Sequence, residues 1–193
     1  KSGGIKVCKN NDDVIKTVDK MIGMNIKTPQ TDVSGKTVRR VYLEKAYDIE
    51  KEFYLCIAID RETGGNSIIT SKNGGVDIEE VAEKNPDEIF TVKIAPGGNL
   101  LTHHARTIVY NLGLSGQTAK KAQKNLIGIY SAFQKLDASM IEVNPFAVVK
   151  NGDVVVLDCK ASFDDNALYR QREVAEMKDE NEYDPLELEA ARH

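Results

Sequence analysis

Four polar side chains interrupt an otherwise apolar stretch, Met140–Lys160 (MIEVNPFAVVKNGDVVVLDCK): Glu142, Asn144, Asp158 and Lys160. Val, Ile and Phe dominate both halves of the stretch, and Lys150-Asn151-Gly152-Asp153 supplies a turn, so the pattern predicts a β-hairpin. A carboxylate among so many strand-forming residues is costly unless it is paired or binds a metal. Register decides whether these groups meet. A two-residue Asn151-Gly152 loop pairs Lys150 with Asp153, so that Asn144 faces Cys159 and Asp158 points to the other side. A three-residue loop with Gly152 in the left-handed conformation pairs Val149 with Asp153 instead. Asn144 then lies opposite Asp158 and Glu142 opposite Lys160, on one face, because side chains alternate with period two. The second register is favoured, since it gathers the polar groups and leaves the Val-rich face for a core. Amide and carboxylate oxygens that close suit a hard cation such as Mg2+, which takes few protein ligands and completes its shell with phosphate and water. The alternative is a polar hairpin at a sheet edge, with Asn144-Pro145 ending a strand.

The remaining chain must position that hairpin. It has 193 residues, enough for one domain or two small lobes. With 41% hydrophobic and 29% charged residues it has the make-up of a soluble globular protein. A net charge of −4 argues against a nucleic-acid surface, and no apolar run is long enough to span a membrane. Cys8, Cys56 and Cys159 form no CxxC or zinc pattern and are expected to be reduced, buried thiols. His103 and His104 are adjacent, which suits a surface or helix-start role rather than chelation.

In chain order, a glycine-rich end leads into an expected strand Ile5–Lys9. A helix follows, capped by Asn10 or Asn11, with Val14, Val18, Met21 and Ile22 at helical spacing and Gly23 as its stop. Val38–Glu44 alternates as a strand. The acidic run from Glu44 to Glu52 reads as a solvated connector or as a hinge whose carboxylates meet a ligand. Strands are expected at Phe53–Asp60, Ser67–Ser71 and Phe90–Ile94, and a short helix from Asp77, with Glu80 completing a capping box. Pro96-Gly97-Gly98-Asn99 reads as a mobile loop and matches no phosphate-binding motif. Two helices follow, His103–Leu112 and Thr118–Leu136, the second burying Ala119, Ala122, Leu126, Ile129, Tyr130 and Phe133 along one stripe. Ser162–Asn166 is a polar loop, and Asp184-Pro185-Leu186-Glu187 starts a last helix.

Five segments together resemble a known family. Glu44–Leu55 (EKAYDIEKEFYL), Gly74–Ala82 (GGVDIEEVA), Ile141–Phe146 (IEVNPF), Leu157–Lys160 (LDCK) and Asp165–Gln171 (DNALYRQ) are similar, in this order and at these spacings, to the nucleotide-binding half of the succinyl-CoA synthetase β subunit. The resemblance covers essentially the whole chain. Related acyl-CoA ligases share the pattern more loosely.

The resemblance implies an α+β architecture of the ATP-grasp fold: a mostly antiparallel sheet with helices packed on it, and an incomplete first lobe. Residues 1–48 would be a remnant of that first lobe with the hinge, 49–178 the second lobe, and 179–193 a linker helix toward an absent CoA-ligase domain. It implies roles for Glu44 and Tyr47 at the hinge beside the nucleotide, and for Glu52 near it. Asn144 and Asp158 match the two Mg2+ ligands. Glu142 matches a catalytic-site glutamate that contacts the phosphohistidine loop of the α subunit. The implied cofactors are Mg2+ with ATP/ADP or GTP/GDP. The implied partners are the α subunit, with succinate and CoA in the complete enzyme. Gly74–Glu80 and Phe163–Ala167 look more like mitochondrial than bacterial members, so the expected compartment is the mitochondrial matrix, with the bacterial cytoplasm as alternative. The family's upstream phosphate-binding lobe and downstream Rossmann-like domain have no counterpart in these residues, so the chain alone is expected to bind nucleotide weakly and not to turn over.

Overall fold

A computed structural model describes residues 4–27, 31, 33–179 and 186. The chain divides into two compact units, Lys1–Tyr47 and Asp48–His193.

The first unit is built on helix α1 (Asn11–Met21) and a two-stranded antiparallel ribbon, β1 (Asn25–Ile26) with β2 (Lys36–Thr37). Asn10 caps α1, its side-chain oxygen accepting the Asp13 N–H at 2.9 Å, and Asp12 and Asp13 sit where the helix dipole favours negative charge. Two expected strands are not formed. Ile5–Lys9 has no ladder partner, and Ile5 and Val7 are exposed. Val38–Glu44 is likewise outside any ladder among the described residues; the Val38 backbone is tied to Gly23 and Met24, while Tyr42 and Leu43 are exposed. Alternation supplies side-chain faces but not a neighbour to pair with, and a strand needs one.

The second unit is a six-stranded antiparallel sheet in the order β5-β4-β3-β6-β7, with β8 also pairing β6. Its strands are β3 (Ile49–Asp60), β4 (Gly65–Ser71), β5 (Ile89–Ile94), β6 (Ala138–Val149), β7 (Val154–Val156) and β8 (Cys159–Phe163). β3 begins at Ile49, inside the acidic run expected to be a connector or a hinge. Its first four residues are exposed, yet Ile49, Lys51 and Glu52 pair with Val149, Val148 and Ala147. Backbone pairing carries a charged stretch into the sheet there because the side chains remain in water.

Helices α2 (Ile78–Lys84), α3 (Thr102–Asn111), α4 (Gly116–Lys135) and α5 (Arg172–Glu176) complete the unit. Asp77 caps α2, accepting the Glu79 N–H at 3.2 Å. The α4 stripe packs as its spacing predicts: Ala122, Leu126, Tyr130 and Phe133 are buried, with Ala119 and Ile129 against them. They meet Ala105, Ile108 and Val109 of α3 and Phe53, Leu55, Ile57, Ile68, Ile141, Val143, Phe146 and Val148 of the sheet in one core. The buried Tyr130 hydroxyl donates to Gly98 O at 2.9 Å and accepts from Asn66 Nδ2 at 2.9 Å. The loop Pro96–Asn99, expected to be mobile, is thus pinned to α4. Asp137 joins α4 to β6 and accepts from Arg170 Nε and Nη2, at 2.9 and 2.6 Å, and from Gln171 Nε2 at 2.6 Å. Ser162 and Phe163 belong to β8 rather than a loop, and Asp165–Ala167 forms a single 3-10 turn. The helix expected from Asp184 lies, Leu186 apart, outside the described residues.

Candidate functional site

The hairpin takes the three-residue loop. Val149 N–H donates to Asp153 O at 3.0 Å, Gly152 N–H donates to Val149 O at 2.7 Å, and Gly152 has φ 76°, a conformation that a residue with a Cβ adopts at a cost. Phe146–Val156 and Val148–Val154 pair on one side of the site, and Val143–Cys159 and Glu142–Lys160 on the other. Between them the strand partner of β6 leaves the ladder at Leu157–Asp158, yet the register continues: Asn144 N–H donates to Asp158 O at 3.3 Å and Leu157 N–H to Pro145 O at 3.3 Å. Asn144 and Asp158 are therefore backbone neighbours across the two arms.

The other side of β6 holds a feature the hairpin alone does not announce. Against β3, Phe146 pairs with Phe53 and Val143 with Leu55, so Asn144 and Pro145 together oppose the single residue Tyr54. This is a β-bulge, and bulges re-aim side chains beside functional sites. The Asn144–Pro145 peptide is cis. The Asn144 amide turns onto the Gly74–Val76 loop: Gly75 N–H donates to Asn144 Oδ1 at 2.6 Å, and Asn144 Nδ2 donates to Val76 O at 2.9 Å.

Glu142 is half-buried and faces Cys56 across the β3–β6 pair. Tyr54, one alternation away, donates its hydroxyl to Glu142 Oε2 at 3.0 Å. Tyr54 and Cys56 are buried. Burial, then the neighbouring Cys56 and Glu142, push the Tyr54 hydroxyl far above its ordinary range. Burial likewise raises the Cys56 thiol, partly offset by its hydrogen bond with Tyr54. Both groups thus stay protonated beside the carboxylate, and the Tyr54 bond takes one of its two oxygens. Cys159, expected to be buried, is exposed, and Cys8 is half-buried; only Cys56 matches the expectation of a buried thiol.

Glu52 is exposed on β3, with its carboxylate over Gly75. It lines a cavity of about 380 Å³ together with Lys72, Asn73, Gly74, Asp77 and Lys84, among others. Glu44 and Tyr47 belong to the first unit, in a segment outside its helix and strands; the Lys45 ammonium lies 5.8 Å from the centre of the Tyr47 ring. In α3 the Leu101 N–H donates to His104 Nδ1 at 3.3 Å, so His104 serves the helix start.

The donor set at Asn144 and Asp158 fits Mg2+. Both supply hard oxygens, Asp158 is exposed, and Asn144 Oδ1 keeps a lone pair after accepting the Gly75 N–H. Among the described residues no group of three or more His, Cys, Asp or Glu side chains is arranged to hold a metal. An ion here would take much of its shell from phosphate and water, as Mg2+ does at phosphoryl-transfer sites.

Sequence reasoning reached Glu142, Asn144 and Asp158 through the hairpin. It missed Tyr54, Gly75 and Val76 as their partners. Tyr54 and Cys56 alternate on one face of a predicted strand, so the signal existed, but nothing local indicated which strand lies beside it.

The chain that builds this sheet and site matches a known family. The model of the ATP-grasp domain matches residues 1–148, and the chain belongs to that family. It is 44% identical over 191 residues to the succinate–CoA ligase (ADP-forming) subunit beta of Paramagnetospirillum magneticum, covering 99% of this chain and 48% of that protein. Against the subunit of the same name from Bdellovibrio bacteriovorus it is 44% identical over 192 residues, covering 100% of this chain and 50% of the relative. The chain thus spans about half the length of the curated relatives it matches. Among solved structures, ATP citrate lyase from Methanothrix soehngenii, in complex with citrate and coenzyme A, is similar with a TM-score of 0.61 and 18% identity, over 87% of this chain and 37% of that one. That likeness bears on the fold. No helix among the described residues is long and apolar enough to cross a membrane.

Proposed function

We propose that this chain is the nucleotide- and Mg2+-binding part of the β subunit of a succinate–CoA ligase. The observation that carries the reading is the hairpin register, which makes Asn144 and Asp158 cross-strand neighbours one alternation from Glu142. The 44% identity to two bacterial β subunits over almost the whole chain supports it.

The assigned reaction interconverts succinate, CoA and nucleoside triphosphate with succinyl-CoA, nucleoside diphosphate and phosphate. A free carboxylate acylates a thiol poorly, so it is first activated as an acyl phosphate, and the phosphoryl group travels from the nucleotide by way of a histidine on an α subunit. Mg2+, when bound, offsets the charge on the β and γ phosphates as the γ group departs. Asn144 and Asp158 would hold that ion. Glu142 would accept a hydrogen bond from the imidazole N–H and keep the ring oriented, with Tyr54 fixing its other oxygen. Glu44, Tyr47 and Glu52 would contact the nucleotide. The ADP-forming names of the relatives favour ATP/ADP over GTP/GDP. The resemblance of Gly74–Glu80 and Phe163–Ala167 supports a mitochondrial matrix, and the bacterial sources of the relatives support the alternative, a bacterial cytoplasm.

Calorimetry of the full-length protein with Mg2+-ADP tests the metal assignment. Asp158→Ala is expected to weaken binding by about tenfold or more. Unchanged affinity would remove Asp158 from the metal shell.

A further inference from the structure

Why the hairpin presents an asparagine rather than a second carboxylate is answered by the loop that Asn144 touches; the inference rests on reading Asn144 as a metal ligand. The amide is held at both ends, by the Gly75 N–H on its oxygen and the Val76 carbonyl on its nitrogen. Two such contacts fix the amide plane and decide which end is oxygen. One N–H accepted leaves a lone pair on Oδ1 for a cation. A carboxylate in the same place has no proton to give Val76 O and would set oxygen against oxygen.

The loop is seated from behind as well. Gly74 N–H donates to Glu52 O at 3.1 Å. A Cβ on Gly74 would lie 2.4 Å from Phe53 N and 2.5 Å from its carbonyl carbon, so only glycine lets the loop lie this close to β3. Gly75 has φ 69°, and a Cβ there would meet Glu52 Oε2 at 2.5 Å. The bulge at Asn144-Pro145 completes the arrangement by displacing β6 opposite Tyr54. Two glycines, one bulge and one amide thus act together, and Asp77, the cap of α2, follows the loop directly.

We propose that Gly74-Gly75-Val76 is a positioning element for the metal ligand Asn144, and that the loop and the ion are coupled. Order in one favours the other, and by linkage the effect is reciprocal. The loop also walls the cavity that Glu52 lines, so a ligand bound in that cavity would be felt at the metal site.

The test uses the full chain, with Mg2+ titrated in the presence of ADP and followed by calorimetry and by the backbone amide resonances of Gly75 and Val76. In the wild type those two resonances are expected to move with Mg2+, and in Asp158→Ala to stay. Asn144→Asp is expected to bind about tenfold more weakly although it adds a negative charge. Gly74→Ala, which touches neither ligand, is expected to weaken binding in the same direction. Equal or tighter binding by Asn144→Asp overturns the proposal, and this variant decides the matter should Gly74→Ala not fold. If Asp158→Ala binds as the wild type does, the metal assignment itself fails and takes the loop proposal with it. If Asp158→Ala loses affinity while Asn144→Asp keeps it, only the loop proposal fails.

Discussion

On one face of β3 and β6, the face that α3 and α4 cover, Leu55, Ile57, Ile141, Val143, Phe146 and Val148 are buried in a continuous apolar core. On the other face the same two strands carry Tyr54, Cys56, Glu142 and Asn144. The first face is held by area removed from water, which is non-directional and tolerates changes of shape that keep volume. The second is held by a few directed bonds, Tyr54 to Glu142 and Asn144 to Gly75 and Val76, each depending on one partner. The comparison teaches that apolar packing and directed polar bonds are divided between the faces of one strand pair. The bulge opposite Tyr54 is where they meet: Phe146 and Val148 return to the core although two residues, not one, stand between Val143 and Phe146.

The largest effect is expected on the covered face. Phe133→Ala removes a buried ring from the α4 stripe and is expected to cost about 3–5 kcal/mol in chemical denaturation. A cost near zero would mean that α4 does not hold the sheet. On the site face, Tyr54→Phe keeps the ring and removes the hydroxyl that bonds Glu142 and Cys56, and is expected to cost about 1–2 kcal/mol by the same measurement. A loss as large as that of Phe133→Ala would erase the distinction between the faces.

The smallest effect belongs to the edge that neither face includes. Hydrogen bonds from Arg170, then Gln171, hold the Asp137 carboxyl at about 2, below its ordinary 3.8. Its folded-state value is depressed, so its stabilisation is fully present above pH 3.8 and is lost as pH falls toward 2. Asp137→Asn is expected to lower the melting temperature slightly at neutral pH and to flatten its fall between those two pH values. A melting profile as steep as the wild type's there would remove Asp137 from the acid transition.

Local rules made much of this legible in the amino-acid sequence. Asn10 and Asp77 cap the helices they were expected to cap, and the α4 stripe follows from helical spacing. The hairpin register follows from one left-handed glycine, Gly152, and places Asn144 beside Asp158. The failures share a cause. Ile5–Lys9 and Val38–Glu44 have strand-like residues but, among the described residues, no strand beside them, whereas the acidic start of β3 has one. Pairing is a property of two segments, and composition reports on one. The partners of the site were hidden for the same reason: Tyr54 is 88 residues from Glu142 and Gly75 is 69 from Asn144.

The claim beneath the whole account, that Asn144 and Asp158 hold one divalent ion between them, is tested most directly by a double-mutant cycle on Mg2+-ADP affinity in the full-length protein. Asn144→Ala and Asp158→Ala are each expected to weaken binding, and the double variant to be little weaker than the worse of the two, because both remove the same ion. Losses that simply add would show that the two side chains act on the nucleotide separately and would contradict the shared site.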